Sequence, residues 1–482
     1  MRKLAMFALG FAALLFAVNV AQAAAAADED TDNKFTIHGE VRFRGEGWNN
    51  LTDFTDTDTQ GLFGSSNDSF DIYPYRVRLA AKGELGHDIW VYGEFQASGI
   101  AGGVGGEIRN PFGDPTEFFN AVDAGVHLYQ GFVKVKDIGD SSLDLTFGRQ
   151  EIVFDRGLHF SSLDFYNGIR HDGVMAAWDW DRFGIHAFWI RPVDLNLSPV
   201  GPVSVASGAD NDTLGAHVGW MIGKDKDMDV AAYAFYQIMN ATALVPGDDR
   251  GKIYTIGGRW GRMIEGKSGF VWNAEASMQF GDFQPCAAPA PFTGACSTSA
   301  FDQSAFVFEG AFGYVFHSGD VDHKFWGGYT LASGDDDATD EDNSSFVPLY
   351  TDYHNRLGYA DLFTISNIQA ISAGWKMSIN DKHVIGATFW NFSQDNTEAG
   401  TVSPLTGVTL AASCTGSSCN DDLGNELDVF YDYHMTENFS FDTALSWFSS
   451  GDAIEDNFSS FGAFAGGDDA GWRLTAQARA RF

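Results

Sequence analysis

The chain has 482 residues, and its 65 Asp and Glu outnumber its 30 Lys and Arg, which gives a formal charge of −35. So acidic a chain lacks the basic surface that nucleic acids require, and we expect no nucleic-acid partner. An apolar content of 44% is too high for a disordered acidic chain. Aromatic residues make up 15%, and this content with 55 Gly against 12 Pro favours a protein of many strands and turns.

Residues 1–23 have the pattern of a secretory signal peptide. Arg2 and Lys3 precede the apolar stretch 4–20, and a small-x-small cleavage site follows at 21–23. A membrane-anchor helix is the alternative. Beyond this segment, no run of eighteen apolar residues predicts a transmembrane helix. The sequence therefore predicts an exported chain, either a soluble protein or an outer-membrane β-barrel.

Apolar and polar residues alternate with period two through most of the remaining chain. The C-terminal segment is an example, because Arg473, Gln477 and Arg479 share a face opposite Leu474 and Ala478. Such a polar face suits no soluble core, but it can line a water-filled barrel whose apolar face meets lipid. The segment 166–179 has no clear phase. The pattern predicts eighteen strands, at roughly 35–48, 69–84, 88–98, 127–136, 143–151, 166–179, 183–192, 212–223, 228–239, 252–263, 270–281, 303–317, 323–333, 364–379, 383–394, 425–434, 438–449 and 471–482.

The connections between these strands alternate between eight short turns and nine long loops. This alternation is typical of outer-membrane barrels, with periplasmic turns and extracellular loops. A closed sheet also has no edge strand, whose unpaired backbone groups would find no water in lipid. The sequence therefore predicts an all-β, transmembrane, antiparallel up-and-down barrel of eighteen strands. We expect one domain over 24–482, in the outer membrane of a Gram-negative bacterium.

Aromatic side chains near the strand ends are consistent with the girdles of such a barrel. The alternative is that they form the core of a soluble β-protein. The predicted girdle residues are Tyr73, Tyr75, Trp178, Trp189, Trp220, Trp260, Trp272, Trp390, Trp447 and Trp472.

The four cysteines fall in two long connections. Cys286 and Cys296 share one, and Cys414 and Cys419 share another. An even number of cysteines in an oxidising compartment favours disulfides, so we predict one bond within each pair. No suitably spaced His accompanies either pair, which argues against a metal site.

Two stretches go beyond generic barrel character. The first runs from GRQE at 148–151 through DFYN at 164–167 to DGV at 172–174, and the second from GDDD at 334–337 to FVPLY at 346–350. Together they resemble the alginate-export family of outer-membrane porins. The resemblance implies an 18-stranded barrel, in agreement with the strand count. The alginate exporter itself has an arginine-rich channel that passes a polyuronate, but many members occur without an alginate pathway.

Charges that line the lumen set the selectivity of a pore. Strand phase places several inward arginines on the first, second and last strands, which become neighbours when the barrel closes. Their guanidinium groups could hold carboxylates or phosphates. We call this set the arginine wall, and its members are Arg42, Arg44, Arg76, Arg78, Arg473 and Arg479.

Arg259 also faces inward by phase, and so do many acids. The alternative role of the arginines is therefore ion pairing to these acids. The inward acids are Glu40, Glu46, Glu94, Glu275, Glu309, Glu426, Asp428, Asp432 and Asp442.

The family resemblance implies that Arg149 and Arg170 reach the channel as well. Arg149 shares its phase with Phe147, so an inward direction would require a β-bulge or a position above the membrane band.

An acidic loop offers many oxygen ligands and could bind calcium, but a solvated surface loop is the favoured reading, and no other cofactor is expected. The loop is not an EF-hand, since Asp340 and Phe346 stand where Gly and Glu are required. Divalent ions that bridge this loop to lipopolysaccharide phosphates are a third reading. The expected ligands are Asp335, Asp336, Asp337, Asp340 and Asp342.

The function predicted from the sequence is passive passage of hydrophilic, anionic solutes or polyuronate-type saccharides through a monomeric porin. Outer-membrane lipid and lipopolysaccharide would surround it. The alternative is a loop-plugged barrel that serves as a surface binding or structural component of a partner complex. A barrel enzyme is a third reading, although no catalytic motif is present.

Overall fold

The computed structural model describes residues 33–51, 69–86, 88–101, 126–193, 211–239, 251–264, 267–283, 301–337, 339–352, 354, 356–380, 382–402, 409–411, 413–414, 419–457 and 470–482. Residues 1–23, and with them the predicted signal peptide, lie outside this set, as do Cys286 and Cys296. No described helix is both long and apolar enough to cross a membrane.

Long antiparallel strands form one sheet that closes on itself. Each strand pairs with the next along the chain, and the last pairs with the first from Glu40↔Arg481 to Asn49↔Trp472. Two short segments, Phe70–Ile72 and Asp342–Asn343, extend the sheet. The eighteen strands are β1 (Lys34–Asn49), β2 (Pro74–Leu85), β3 (Ile89–Ile100), β4 (His127–Val135), β5 (Leu143–Gln150), β6 (His171–Asp179), β7 (Phe183–Val193), β8 (Asn211–Ile222), β9 (Met228–Met239), β10 (Gly251–Arg262), β11 (Gly269–Phe283), β12 (Phe301–Ser318), β13 (Val321–Ala332), β14 (Ile368–Ile379), β15 (His383–Ser393), β16 (Asp422–Thr436), β17 (Phe439–Ser450) and β18 (Gly471–Arg481).

The two faces of the sheet differ as the alternation predicts, because successive side chains of a strand point to opposite faces. On β1, Val41 and Phe43 are exposed on the outside, whereas Arg42 and Arg44 are buried inside. The prediction of an eighteen-stranded antiparallel barrel is confirmed. Two strands begin later than predicted, β6 at 171 and β14 at 368, because the chain before each of them lies inside the barrel.

Short turns join the strands at one end, which we call the turn end. Asn33 and Phe482 lie at this end with the turns, and the long connections leave the other, the loop end. Left-handed backbone closes several turns, with φ of 62° at Gly319 and 51° at Asn380. Glycine and asparagine adopt this conformation most readily, which explains their positions.

Two connections fold back into the lumen. We call residues 151–170 the first inward segment and 333–367 the second. They pair with each other, since Tyr350 N donates to His159 O at 2.8 Å and Ser161 N donates to Tyr350 O at 3.2 Å. Each satisfies backbone groups of the other, as buried backbone requires.

Apolar side chains attach both inward segments to the barrel wall. Phe154 and Phe160 of the first segment pack on Phe188 of β7, at ring centroid distances of 5.7 and 5.0 Å. Phe363 of the second packs on Phe392 and Phe448. Burial of one such ring contributes about 1.5–3 kcal/mol, so several together hold these segments in place.

The prediction of a disulfide between Cys414 and Cys419 is confirmed, and the described residues contain no free cysteine.

Candidate solute-binding lumen

The arginine wall occupies one side of the lumen, on β1, β2 and β18. Its centre is a row across three strands, because Arg42 is the register partner of both Arg76 and Arg479. Arg42, Arg44, Arg76 and Arg473 are at most 4% exposed. The six arginines that phase analysis grouped therefore do come together.

A carboxylate of the first inward segment lies against this wall. Asp164 Oδ1 is 2.7 Å from Arg76 Nη2 and 3.2 Å from Arg78 Nη1, and Asp164 Oδ2 is 3.5 Å from Arg479 Nη2. Burial alone would raise the pKa of Asp164, but the guanidinium groups of Arg76 and Arg78 hold this pKa well below its usual range. Asp164 is therefore ionised at neutral pH and neutralises part of the wall.

Backbone carbonyls of the same stretch are bound by the wall too. Residues 164–167 form what we call the loop tip. Arg42 donates to the carbonyls of Asp164 and Tyr166, and Arg44 donates to that of Phe165. Arg78 Nη2 donates to the carbonyl of Asn167 at 3.1 Å. Charge-assisted hydrogen bonds of this kind are among the stronger ones, so the loop tip behaves as an internal ligand of the wall.

Glycine at 168 allows the loop tip to approach so closely. Its φ is 83°, and a Cβ there would collide with Tyr129 Oη and with Arg78 Nη2. The left-handed backbone turns the chain away from the wall immediately after the tip.

Other acids pair with the remaining guanidinium groups. Glu40 accepts from Arg76 at 2.6 Å, and Glu46 lies 2.6 Å from Arg44 and 2.8 Å from Arg473. Arg473 also pairs with Asp361 of the second inward segment. The ion-pairing alternative thus describes most of the arginine wall.

Asp361 links the two inward segments to the wall. Besides Arg473, it accepts from Tyr166 Oη and lies 2.9 Å from His354 Nδ1. Burial would raise the pKa of Asp361, but His354 and Arg473 lower it below its usual value. The His354 ring also stacks on Phe165 with a centroid distance of 3.4 Å. The loop tip is therefore held from both sides.

A cavity of about 360 Å³ lies beside the loop tip. Glu94 accepts from Tyr92 Oη at 3.2 Å and from Gln130 Nε2 at 2.8 Å. Burial, reinforced by nearby carboxylates, raises the pKa of Glu151. The cavity therefore offers acceptors and guanidinium groups together. Its charged lining residues are Glu40, Arg78, Glu94, Glu151, Asp164 and Arg481.

The prediction that Arg149 lines the channel is wrong. Its guanidinium group forms a two-point ion pair with Asp172, at 2.8 and 2.7 Å, on the face that also carries the exposed Phe147. No bulge reverses the alternation of β5, so the side chain keeps its outward phase. Arg170 differs, since it lies 5.7 Å from the ring of Tyr129, the same ring on which Arg78 stacks at 3.9 Å.

Arg259 faces the lumen but is fully engaged. Its Nε donates to Asn273 Oδ1 at 2.7 Å, and its Nη1 pairs with Asp229 and lies 3.7 Å from Asp155. Asp155 belongs to the first inward segment, so Arg259 helps to fix that segment on the side opposite the loop tip.

Acids of β16 bind the second inward segment. Asp428 accepts from Trp390 Nε1 at 3.0 Å and from Tyr359 N at 3.4 Å, while Glu426 accepts from Ala360 N at 2.9 Å. Trp390 was predicted in the outer girdle and instead faces the lumen, because it is the register partner of Glu426.

Two further acids of the lumen face each other across β16 and β17. Asp432 is the register partner of Asp442, and Asp442 accepts from Gln477 Nε2 at 3.2 Å.

The acidic loop does not gather its carboxylates into the possible calcium site. Asp335, Asp337 and Asp340 accept hydrogen bonds from backbone amides of their own loop, at 2.8–3.0 Å. They stabilise turns instead of converging on one point, as short acidic side chains often do. Within the described residues, which include Asp336 and Asp342, no three potential ligands could hold a metal ion.

Two kinds of lumenal residue were not among the sequence predictions. The role of Asp164 could not be found, because a loop has no periodicity and the family motif was its only signal. Lys324 and Lys376 could have been found, because they have lumenal phase opposite Phe325 and Trp375 in their strands.

A closed barrel of eighteen antiparallel strands with a charged interior has the fold of an outer-membrane channel. Residues 116–468 match the protein family described as alginate export, and the chain belongs to that family. No curated protein matches the sequence significantly.

Solved structures of outer-membrane proteins are similar to the barrel. OccK8 (OprE) of Pseudomonas aeruginosa has a TM-score of 0.54 and 10% identity, with 94% of this chain and 98% of that chain covered. OccAB1 of Acinetobacter baumannii has a TM-score of 0.53 and 10% identity, with 92% and 97% covered. OpdK of P. aeruginosa, solved with vanillate, has a TM-score of 0.52 and 9% identity, with 92% and 99% covered. At such identities the similarity is one of fold.

Proposed function

We propose that the protein is a passive outer-membrane channel for small hydrophilic solutes that carry a negative charge. The observation that carries this proposal is the concentration of guanidinium groups where the first inward segment narrows the lumen. Arg78, Arg479 and Arg481 remain partly accessible there, with side chains 10%, 19% and 59% exposed. An anion that enters the cavity meets Arg78 and Arg481, with Arg479 on the neighbouring part of the wall.

The chemistry of the cavity suits hydroxylated carboxylates. Guanidinium groups bind a carboxylate through two parallel hydrogen bonds, while Glu94 and Glu151 can accept from hydroxyl groups. OpdK, solved with vanillate, offers a fold-level precedent for a carboxylate in such a barrel. Sugar acids and other small carboxylates are therefore the solutes that we propose.

The size of the cavity favours passage of single small solutes over passage of a polymer. The two inward segments pack buried apolar clusters against the barrel wall, and the loop tip lies on the arginine wall. A polyuronate chain would have to displace the loop tip from all of its arginine partners. One or two sugar rings fit the cavity volume far better.

In the proposed orientation the loop end faces outward and the turn end faces the periplasm, as in other barrels of this kind. The apolar outer face then lies in lipid, and the loop end faces the lipopolysaccharide side. We propose that the barrel functions as a monomer.

A loop-plugged barrel is the second candidate. The specific observation in its favour is that the inward segments carry packed apolar cores, with Phe160, Phe346 and Phe363 at most 1% exposed. Such a plug would make the barrel a scaffold for partners at the surface.

An enzymatic role has little support in the described residues. His159 Nε2 lies 3.0 Å from Ser277 Oγ, but both residues are buried among aromatic rings. Burial and the nearby Arg356 lower the pKa of His159 to about 3, and its Nδ1 has no hydrogen-bond partner. A catalytic His would need an orienting partner and access to substrate.

Single-channel recording in planar bilayers tests the proposal. We expect conductance in symmetric salt and a reversal potential that shows anion preference in a salt gradient. The double variant Arg78→Gln with Arg479→Gln should lower the anion-to-cation permeability ratio by about threefold.

The matched control is Arg149→Gln with Arg182→Gln, which removes the same charge outside the lumen. An unchanged ratio in the lumenal variant, or a change of equal size in the control, would contradict the proposed site. Absence of conductance in the wild type would instead favour the plugged scaffold.

A further inference from the structure

Two lysines face each other across adjacent strands near the turn end of the lumen. Lys324 on β13 and Lys376 on β14 are register partners, and both side chains are half-buried. Their phase is lumenal, since the neighbouring Phe325 is exposed on the outer face. Among the described residues, no carboxylate lies within 4.0 Å of either ammonium group. We call these two residues the lysine pair.

The surroundings add to this positive charge. Like charges directly opposite each other destabilise a sheet. Arg156 of the first inward segment lies within electrostatic range of Lys324. Asp432 interacts electrostatically with Lys376, but the two groups are farther apart than an ion pair. A bound anion between the two ammonium groups would relieve their repulsion.

Two aromatic rings border the lysine pair. The ring of Trp326 covers Gly374, its register partner, and its centroid is 5.6 Å from Lys324 Nζ. The ring of Phe430 covers Gly386, which is the register partner of Lys376. Both rings are half-buried on the lumenal side, so the positive charge lies between two apolar surfaces.

We propose that the lysine pair, Trp326 and Phe430 form an anion-binding subsite for a solute that carries its negative group on a flat ring. The two ammonium groups would hold a carboxylate, and the solute ring would pack against the aromatic side chains. The proposal rests on the proposed channel function and deepens it by naming the solute class. The subsite is separate from the arginine wall, which lies on β18, β1 and β2. The nearest of these strands, β18, is four strands from β14.

The lysine pair and the arginine wall would then offer two separate sites to the same solute. Both reach toward the turn end, but the subsite lies on β13 and β14, whereas the cavity lies beside the loop tip with Arg481 and Phe482 in its lining. A ring-bearing carboxylate could occupy either, but within the part of the chain that the structure describes, the cations of the subsite have no carboxylate at ion-pair distance, whereas those of the cavity do.

Equilibrium binding to the full-length barrel in detergent micelles tests the subsite without requiring conduction. Saturation-transfer NMR titrations with benzoate, benzamide and acetate separate the contributions of charge and ring. We expect benzoate to bind more tightly than either of the other two. The double variant Lys324→Gln with Lys376→Gln should weaken benzoate binding by about tenfold.

The matched control is Lys82→Gln with Lys134→Gln. These lysines also lie in the lumen near the turn end, but each already pairs with a carboxylate, Glu84 at 2.7 Å and Asp144 at 2.8 Å. We expect this control to change benzoate affinity by less than about twofold. Heat-modified migration on gels would verify that each variant forms a closed barrel.

Three outcomes would overturn the proposal: an unchanged affinity in the Lys324 and Lys376 variant, an equal loss in the control, or benzamide binding as tightly as benzoate. Trp326→Leu tests the ring, and it should weaken benzoate but not acetate. A barrel that binds benzoate at this subsite but does not conduct would refute the channel and leave the subsite intact. A barrel that conducts but does not bind benzoate at this subsite would refute the subsite and leave the channel function intact.

Discussion

The arginine wall and the lysine pair show how differently two basic clusters of one lumen can behave. The wall has six guanidinium groups, yet most of them are buried and paired with Asp164, Glu40, Glu46 or Asp361. The lysine pair has two ammonium groups, half-buried and without a carboxylate at ion-pair distance in the described chain. The larger cluster therefore organises the inward segments, and the smaller one has charge available for a solute.

The largest expected effect comes from Arg76, whose side chain is fully buried between Glu40 and Asp164. Arg76→Met leaves the buried Glu40 and the half-buried Asp164 without their strongest partner, which should cost roughly 3–5 kcal/mol of unfolding free energy. Urea denaturation in detergent, followed by tryptophan fluorescence, measures the change. A loss below 1 kcal/mol, similar to what Arg149→Met should give at the surface, would show that the wall has little structural role.

Release of the loop tip should come next in size. Asp164→Asn keeps the shape of the side chain but removes the charge that Arg76, Arg78 and Arg479 share. We expect anion preference in bilayers to rise by about threefold, because three guanidinium groups lose a counter-charge that they share. Asp181→Asn, in an exposed turn, is the control. A fall in anion preference would contradict the assignment of Asp164 as the counter-charge.

Acid should weaken the same contact. Since the pKa of Asp164 is lowered in the folded barrel, its contribution to stability is complete above the ordinary Asp pKa and is lost as pH falls through the lowered value. We therefore expect anion selectivity from this group to be constant between pH 8 and about 5 and to change only below about pH 4. Recordings across this range check the sign, and a transition near neutral pH would refute it.

A change in the lysine pair should give the smallest effect, and it should raise the free energy of unfolding, whereas Arg76→Met lowers it. Lys376→Gln removes one of two like charges that face each other, so stability should rise by about 0.2–1 kcal/mol. The urea midpoint of the same barrel provides the measurement. A clear loss of stability would mean that Lys376 has a favourable partner and would remove the contrast with the wall.

Period-two alternation made much of the fold predictable. A sheet with one face in lipid must repeat every second residue, and closure must place β18 beside β1, so Arg42, Arg76 and Arg473 could be grouped without coordinates. The same rule put Arg149 in phase with Phe147, although it left the face of Arg149 ambiguous. The expectation that it reaches the channel came from the family resemblance, and the phase proved decisive.

The inward segments lay beyond such reasoning. Contacts such as Asp164 with Arg76 and Phe160 with Phe188 join irregular chain to distant strands, and no local repeat encodes them. The role of the aspartates at 335–342 stayed open for a related reason. Composition reveals that carboxylates are dense, but whether they converge on an ion or cap their own turns depends on backbone geometry.

The row Arg479, Arg42 and Arg76 lies across the junction where the last strand meets the first. Its outer members come from opposite ends of the chain and become neighbours only when β18 pairs with β1. The loop tip therefore has its complete set of partners only in a closed barrel, and its capture reports that closure has occurred. One cluster of charges thus links closure of the barrel to the arrangement of the inward segments inside it.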